Sequence, residues 1–299
     1  MRQQSIIILV MAAVLMALPA FSRCGGEPQV ELTPDKRACI EMMQKVPVYY
    51  EDFEFWNVRA LQSDPDLGEL HKVWYERRGE SLEEHYGLSI VDADYFTESE
   101  GLRIVKGKPA LEGIRSRISA DFYRDMSYED MEVWKSEPSP DPHSVTGGMV
   151  IAEGLFVRGA NNSNVDDYLR VVRGEELSMY DKNAAEVLER LPPGIMTRVS
   201  RSPYPKGLIV SMMSIEKEEK GTYRWTNVYK FESPEAVESD DAIEYFQGIE
   251  GDFGKMESEL AQREEPSLIS SFSIEQEGEF VGWSVLVEER YMIALLFYG

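Results

Sequence analysis

Apolar and polar positions alternate along this chain in short runs, and the period switches between that of a strand and that of a helix. Strand-like alternation is clearest at 222–231, where Tyr223, Trp225, Tyr229 and Phe231 fall on one side. Helix-like spacing, with apolar residues three or four positions apart, occurs at 164–173 and again at 240–263. Runs of strands and helices mixed in this way predict an α+β protein.

The order of predicted elements is repeated along the chain. Lys45-Val46-Pro47 and Arg190-Leu191-Pro192 each precede a predicted strand, and each half places a helix before a terminal hairpin. We therefore expect an internal duplication: two similar halves, each a mainly antiparallel sheet with helices packed on one face. The predicted segments are a signal peptide at 1–22, a tether and short helix at 23–45, a first half at 46–191 and a second half at 192–299.

Two stretches of the second half carry specific predictions of secondary structure. The helix at 240–263 contains Gly248, Gly251 and Gly254, which predict interruptions in it. The final run at 291–298 is apolar on both sides. We therefore predict a closing strand in the middle of a covered sheet.

The N-terminus has the three-part layout of an export signal. Arg2 precedes an apolar run at 5–20, and Ala20 and Ser22 then supply small-x-small spacing. Pro19 breaks the run, which is shorter than the roughly 20 apolar residues that a spanning helix needs. The sequence therefore predicts export to the cell envelope, on the periplasmic or extracellular face of the membrane.

Three fates of this N-terminus are open. Cleavage after Ser22 would release a soluble protein, lipidation of Cys24 would make a lipoprotein, and an uncleaved signal would anchor the chain to the membrane. Cys24-Gly25-Gly26 is typical of a lipoprotein start, whereas Arg23 and Phe21 fit one poorly. Without lipidation, Cys24 could form a disulfide with Cys39 in an oxidising compartment.

The charge balance excludes one class of partner. Asp and Glu number 54 against 31 Lys and Arg, which gives a formal net charge of -23. A surface of that sign repels a phosphate backbone, so we expect no nucleic-acid partner. The acidity is typical of an exposed protein that must stay soluble.

The sequence contains no complete motif for catalysis or cofactor binding among those considered. His71, His85 and His143 lie far apart, and no GxSxG or GxGxxG motif occurs. The acidic segment at 92–100 has Phe96 and Thr97 where a calcium loop needs an oxygen ligand and glycine. Ser-x-x-Lys at 214–217 falls late in a predicted strand, although that motif needs a helical turn. We expect no catalytic residues, cofactor or metal site.

Aromatic residues supply one binding hypothesis. They lie on predicted strands, and most have the alternation needed to share one face. If helices cover that face, these residues are core; otherwise the sheet could cradle an apolar ligand such as an acyl chain, and Met212-Met213 would suit an adaptable pocket. The residues are Tyr49, Phe53, Phe55, Trp56, Tyr223, Trp225, Tyr229 and Phe231.

Two stretches carry a family resemblance. Arg103-Ile104-Val105-Lys106-Gly107 leads into a helix, and the strand-turn-strand run at 148–159 leads into the helix at 165–173. In these the chain resembles an uncharacterised family of exported bacterial lipoproteins and membrane-anchored proteins. The resemblance implies two related α+β halves and an envelope location. It implies no site residues.

Together these features predict an exported, envelope-associated binding protein that is non-catalytic. Its ligand would be a protein partner or a hydrophobic small molecule, and it would reach the membrane through an N-terminal lipid or anchor. Two alternatives are a carboxylate-based extracytoplasmic hydrolase, with two carboxyl groups facing one cleft, and a structural envelope component.

Overall fold

One antiparallel sheet of twelve strands organises the chain, as the computed structural model shows. The structure describes residues 32–90, 92–108, 111–118, 122–128, 131–137, 147–262 and 269–297. The strand order is β11-β12-β10-β9-β8-β1-β2-β3-β7-β6-β5-β4. The strands are β1 Asp52–Asn57, β2 Ala93–Ser99, β3 Leu102–Gly107, β4 Phe122–Arg124, β5 Glu132–Ser136, β6 Gly148–Ala152, β7 Leu155–Gly159, β8 Met196–Ser200, β9 Leu208–Glu219, β10 Thr222–Phe231, β11 Ile269–Glu277 and β12 Phe280–Glu288.

Ten α-helices are found in the described residues. They are α1 Pro34–Met43, α2 Val58–Ser63, α3 Gly68–Trp74, α4 Glu80–Tyr86, α5 Leu111–Arg117, α6 Asn162–Val172, α7 Lys182–Arg190, α8 Pro234–Val237, α9 Asp240–Gln262 and α10 Glu289–Phe297. A π-helical turn, Tyr75–Gly79, joins α3 to α4. The predicted α+β class is confirmed.

The helices lie on both faces of the sheet, which corrects the expectation of one covered face. On one side α1, α6 and α7 pack against Phe53 and Phe55 of β1; we call it the α1 face. On the other side α2–α5 and α8–α10 pack against Trp56 and its neighbours; we call it the α9 face. The central strands carry large apolar side chains on both sides, and each side needs a cover.

The expected pair of sheets is likewise one continuous sheet. β1 and β8 pair antiparallel at its centre, with Phe53 opposite Val199, and they join the two predicted halves. Outward from this pair the order is β1-β2-β3-β7-β6 on one side and β8-β9-β10-β12-β11 on the other. The duplication itself stays a prediction. The predicted boundary between 191 and 192 falls between α7 and β8, and the signal peptide at 1–22 lies outside the described residues.

The predicted closing strand at 291–298 is wrong, because Glu289–Phe297 form α10. Met292 and Ile293 of this helix are buried with Tyr223 and Ile215 of the sheet. A short run that is apolar on all sides fits a buried helix as well as a covered strand, so its period does not distinguish the two.

Local sequence explains where α6 begins but did not predict the course of α9. Asn161 caps α6, where its side chain accepts from the Asn164 backbone N–H at 2.9 Å. The glycines of α9 do not interrupt it. Gly248, Gly251 and Gly254 lie within one helix of 23 residues, on a side where a Cβ would meet nothing within 4 Å. Across the described part of the chain, none of the helices has both the length and the apolar character needed to cross a membrane.

Candidate functional site: an aromatic cleft

The predicted aromatic strands contribute to different parts of the structure. Phe53 and Phe55 belong to the core on the α1 face, whereas Trp56 packs on the α9 face, so β1 supplies no single aromatic surface. Tyr49 precedes β1 and is exposed. The alternation along β10 is confirmed, and it places Trp225 and Tyr229 on the α9 face.

A cleft of about 580 Å³ lies between the sheet and α9. Its floor is formed by β8, β9, β10 and β12, and its wall by one side of α9. A volume of this size is typical of sites for small molecules. The lining residues are Asp52, Arg198, Ser200, Ser202, Tyr204, Leu208, Ser211, Met213, Trp225, Asn227, Tyr229, Tyr245, Ile249, Asp252, Phe253, Met256 and Trp283. We call this site the aromatic cleft.

Helical spacing explains the wall. Tyr245, Ile249 and Phe253 recur every four residues along α9 and therefore share one side of the helix. Tyr245 and Phe253 are half-buried against the sheet. The opposite side of α9 is exposed and acidic. The wall therefore turns an apolar stripe toward the sheet.

The rings of the cleft hold one another in place. The centroids of Trp225 and Trp283 are 5.7 Å apart, and Phe253 lies 5.5 Å from Trp283. Tyr229 and Tyr245 meet edge to face at 5.9 Å. These separations are those of favourable aromatic pairs, worth about 0.5–1.5 kcal/mol each beyond burial. The rings therefore form a preorganised apolar surface.

Tyr229 is fixed by a buried hydrogen bond. The indole N–H of Trp283 donates to the Tyr229 hydroxyl at 3.1 Å. Burial, followed by the neighbouring Tyr245, raises the pKa of Tyr229 above its ordinary value. The phenol therefore stays neutral and can act as a hydrogen-bond partner at one end of the floor.

Polar side chains occupy the other part of the floor. Arg198 of β8 is exposed, and Asn227 of β10 is buried with 8% of its surface exposed. In the register of the sheet both lie beside Met213 of β9. Asp52 and Asp252 supply carboxylates to the lining. The cleft therefore combines an aromatic portion with a polar one.

A network of charged residues continues the floor beyond β8. Arg78, from the π-helical turn, lies 3.2 Å from Glu54 and 3.1 Å from Glu98. Arg103 donates to Glu98 at 2.8 Å. Arg158 lies over the ring of Tyr86. These paired charges lie on the α9 face of β1, β2, β3 and β7, where helices α3 and α4 cover part of the sheet.

The residues considered for metal or nucleophilic chemistry do not come together. His71 stacks near Trp74, and burial lowers its pKa; the side chain of His85 and all of His143 lie outside what the structure describes. Ser214 donates to the Pro192 carbonyl at 3.0 Å, while Lys217 pairs with Asp64 and Asp66. No group of three or more His, Cys, Asp or Glu that could hold a metal occurs in the described ranges.

The two cysteines lie in different parts of the chain. Cys24, the lipidation candidate, lies outside the described residues. Cys39 lies buried in α1 with no disulfide partner among the described residues, and burial raises the pKa of its thiol to about 12. A thiol with such a pKa is a poor nucleophile at neutral pH. Cys39 therefore serves packing on the α1 face.

Of the residues that line the cleft, sequence reasoning singled out only Met213, Trp225 and Tyr229. Trp283 belongs to an alternating run, Val281, Trp283, Val285 and Val287, which predicts a strand but not its neighbour. The spacing of Tyr245 and Phe253 marks an apolar side of α9 without showing what it faces. Arg198 lies in a five-residue strand and has no sequence signal of its own.

Comparisons with known proteins add nothing to this geometry. No protein-family model, no curated protein and no solved structure matches the chain. The resemblance to exported lipoproteins therefore stays a prediction, and any functional proposal must come from the site itself.

Proposed function

We propose that this protein binds a hydrophobic small molecule in the aromatic cleft. The supporting observation is the cleft itself: about 580 Å³ between the sheet and α9, lined mostly by aromatic and aliphatic side chains with a few polar groups. That composition is typical of ligand pockets that hold an apolar molecule and orient it by a few polar contacts. Of the two ligand classes expected from the sequence, it favours the small molecule over the protein partner.

The carboxylate-hydrolase alternative has less support. It requires two carboxyl groups facing one substrate, and Asp52 and Asp252 are the carboxylates that line the cleft. Most of the remaining lining is apolar, which suits binding better than bond cleavage at two acids. The structural-component alternative does not account for a lined cleft.

Binding is tested with N-phenyl-1-naphthylamine, a neutral apolar dye whose emission rises in apolar surroundings. We expect one dye per molecule of the purified full chain. Trp225→Ala removes part of the aromatic floor and should weaken binding about tenfold or more, because several kcal/mol of contact with a large ring can be lost. Trp134→Ala is the matched control, since Trp134 is also half-buried and lies in the other half of the sheet.

A second variant distinguishes the loss of the cleft from a loss of folding. Ser211→Trp fills the floor of the cleft without removing a core residue, since Ser211 is half-buried in β9. Dye binding should disappear while the unfolding midpoint stays near that of the wild type. Unchanged dye binding in both Trp225→Ala and Ser211→Trp would show that the dye binds elsewhere and would refute the proposal.

Export to the envelope is part of the same proposal and rests on the N-terminal pattern. We propose that the protein acts outside the cytoplasm, anchored through lipidated Cys24 or released after cleavage. The measurement is the intact mass of protein isolated from the cell envelope. A lipid-modified Cys24 start supports the anchored form, and a mature chain starting at Arg23 contradicts it. An unprocessed chain found only in the cytosol would contradict export.

A further inference from the structure

The aromatic cleft contains polar groups whose bonding is incomplete, and these indicate which kind of apolar molecule it takes. The register of the sheet places four side chains in one row across the floor, one from each of β12, β10, β9 and β8. They are Trp283, Asn227, Met213 and Arg198. Three strand-to-strand steps of about 4.8 Å give this row a length of about 14 Å.

Arg198 is a cation without a partner at one end of the row. Within the described parts of the chain it makes no hydrogen bond and no ion pair. Glu54, its cross-strand neighbour on β1, is already engaged by Arg78 at 3.2 Å and by the Trp56 indole at 2.6 Å. A guanidinium is best satisfied by a planar anion that accepts two parallel hydrogen bonds.

Asn227 is the second incomplete group. It is 8% exposed and lines the cleft, and its side-chain amide forms no hydrogen bond to any part of the chain that the structure describes. Its amide borders the open space of the cleft, so a ligand bound there can accept a hydrogen bond from the amide N–H or donate one to the amide oxygen.

The two groups converge on one position. Arg198 and Asn227 flank Met213 from the strands on either side of it. A long arginine side chain reaches across one strand, so both groups can bond to one head lying above Met213. From there an apolar tail would run toward Trp283, Phe253 and Met256, which lie in the aromatic part of the lining.

Several arginines lie along the floor of the sheet from Arg198 outward. The formal net charge of the chain is -23, yet the row from Arg198 through the charged network contains Arg78, Arg103, Arg158 and Arg198 against Glu54 and Glu98. Asp52 and Asp252 lie at the cleft lining but outside this row. Arg198 is the cation of the described cleft lining, and it is the group that can bind a negative head.

We propose that the ligand of the aromatic cleft is an amphipathic carboxylate, whose head group is bound by Arg198 and Asn227 and whose apolar tail lies on the aromatic wall. This inference rests on the proposed function, since it needs the cleft to bind an apolar molecule.

The test compares three ten-carbon competitors, decanoate, decanol and decyltrimethylammonium, as displacers of N-phenyl-1-naphthylamine from the full chain. Decanoate should displace the dye at the lowest concentration. Arg198→Met should weaken decanoate about ten- to a hundredfold, the range of a hydrogen bond to a charged group, and should weaken decanol far less. Arg198→Lys should restore part of the preference, because it keeps the charge and loses the paired geometry.

Two further variants complete the test. Asn227→Leu should weaken decanoate and strengthen decanol, because it replaces the unpaired amide by an apolar group of similar size. Arg37→Met removes an exposed arginine of α1 on the opposite face and is the matched control for charge. It should leave the order of the competitors unchanged.

The outcomes separate this inference from the function on which it rests. Dye binding in the cleft with no preference for decanoate over decanol would overturn the carboxylate and leave the binding function standing. Tighter binding of decyltrimethylammonium would overturn it in favour of a cation held by the aromatic faces and the two aspartates. If neither the dye nor decanoate binds, both proposals fail.

Discussion

The α9 face of the sheet is filled over one half and open over the other. Over β1, β2 and β3, helices α2–α5 cover the strands, and Trp74 packs with its ring centroid 6.2 Å from that of Trp56 and 5.6 Å from that of Phe96. We call this the packed region. Over β8, β9 and β10, the helices α8, α9 and α10 cover only parts of the strands, and the aromatic cleft lies beside α9.

Both regions use aromatic side chains on alternating strand positions. In the packed region several short helices meet the rings from above, and the rings become core. In the second region α9 contacts β10 and β12 through Phe246, Phe253 and their neighbours but leaves β8 and β9 partly uncovered. The number and placement of the covering helices therefore decide whether an aromatic strand forms core or binding surface.

The largest expected effect separates the two regions by stability. Trp74 is fully buried, so Trp74→Ala should lower the free energy of unfolding by about 3–5 kcal/mol, the usual cost of a large cavity in a core. Trp225→Ala should cost clearly less, because its ring already borders open space in the cleft. Urea unfolding of both variants measures the difference. Equal losses would show that Trp225 is core and would remove the distinction.

The second prediction concerns pH and the buried phenol of the cleft. Tyr229 has a raised pKa in the folded protein, so folding holds its proton more tightly than the unfolded chain does, whose tyrosine pKa is about 10. The stability from this group is complete below pH about 10. It is then lost as pH rises, at up to about 1.4 kcal/mol per pH unit.

Tyr229→Phe should therefore make the free energy of unfolding fall less steeply above pH 10, as measured by urea unfolding at a series of pH values. Tyr204→Phe, which removes an exposed phenol on the rim of the same cleft, is the control variant. A Tyr229→Phe protein with the same alkaline slope as the wild type would show that this phenol ionises without unfolding.

A third prediction concerns Gly79, a glycine in the π-helical turn of the packed region. In the packed region a Cβ on Gly79 would lie 2.5 Å from Ile90 Cδ1 and 2.7 Å from Tyr75 Cδ2. Gly79→Ala should therefore destabilise the protein by about 1–3 kcal/mol, the range seen for overpacked sites. Thermal unfolding measures the loss, and an unchanged midpoint would mean that the π-helical turn relaxes freely.

The smallest effect has the opposite sign and concerns the outer side of α9. A Cβ on Gly251 of α9 would meet nothing within 4 Å, so Gly251→Ala should stabilise the protein by about 0.5–1 kcal/mol through a better helix former. Amide exchange along α9 should slow in the variant. Faster exchange would show that the added methyl group destabilises α9 and that the outer side of the helix is not free at this position.

The sequence predicted the elements of the cleft better than the cleft itself. The alternation at β10 correctly placed Trp225 and Tyr229 on one side. The spacing at 240–263 predicted the helix α9, but the interruptions expected at its glycines are wrong. Neither pattern could show that β8 and β9 lie beside β10, because strand pairing joins residues far apart in the chain. The run at 291–298 was misassigned for a related reason: its apolar residues satisfy a buried helix and a covered strand equally.

Periodicity, charge and the absence of catalytic motifs are properties of the chain itself, and they determined the α+β class, the acidic surface and the predicted export. The position of the site was decided only by tertiary structure. Arg198 and Asn227 are 29 positions apart and carry no motif, yet the pairing of β8, β9 and β10 sets them on either side of Met213. Long-range strand pairing and the packing of α9 on one part of a continuous sheet create the cleft. Local sequence patterns cannot show such a space, because its walls come from elements that lie far apart in the chain.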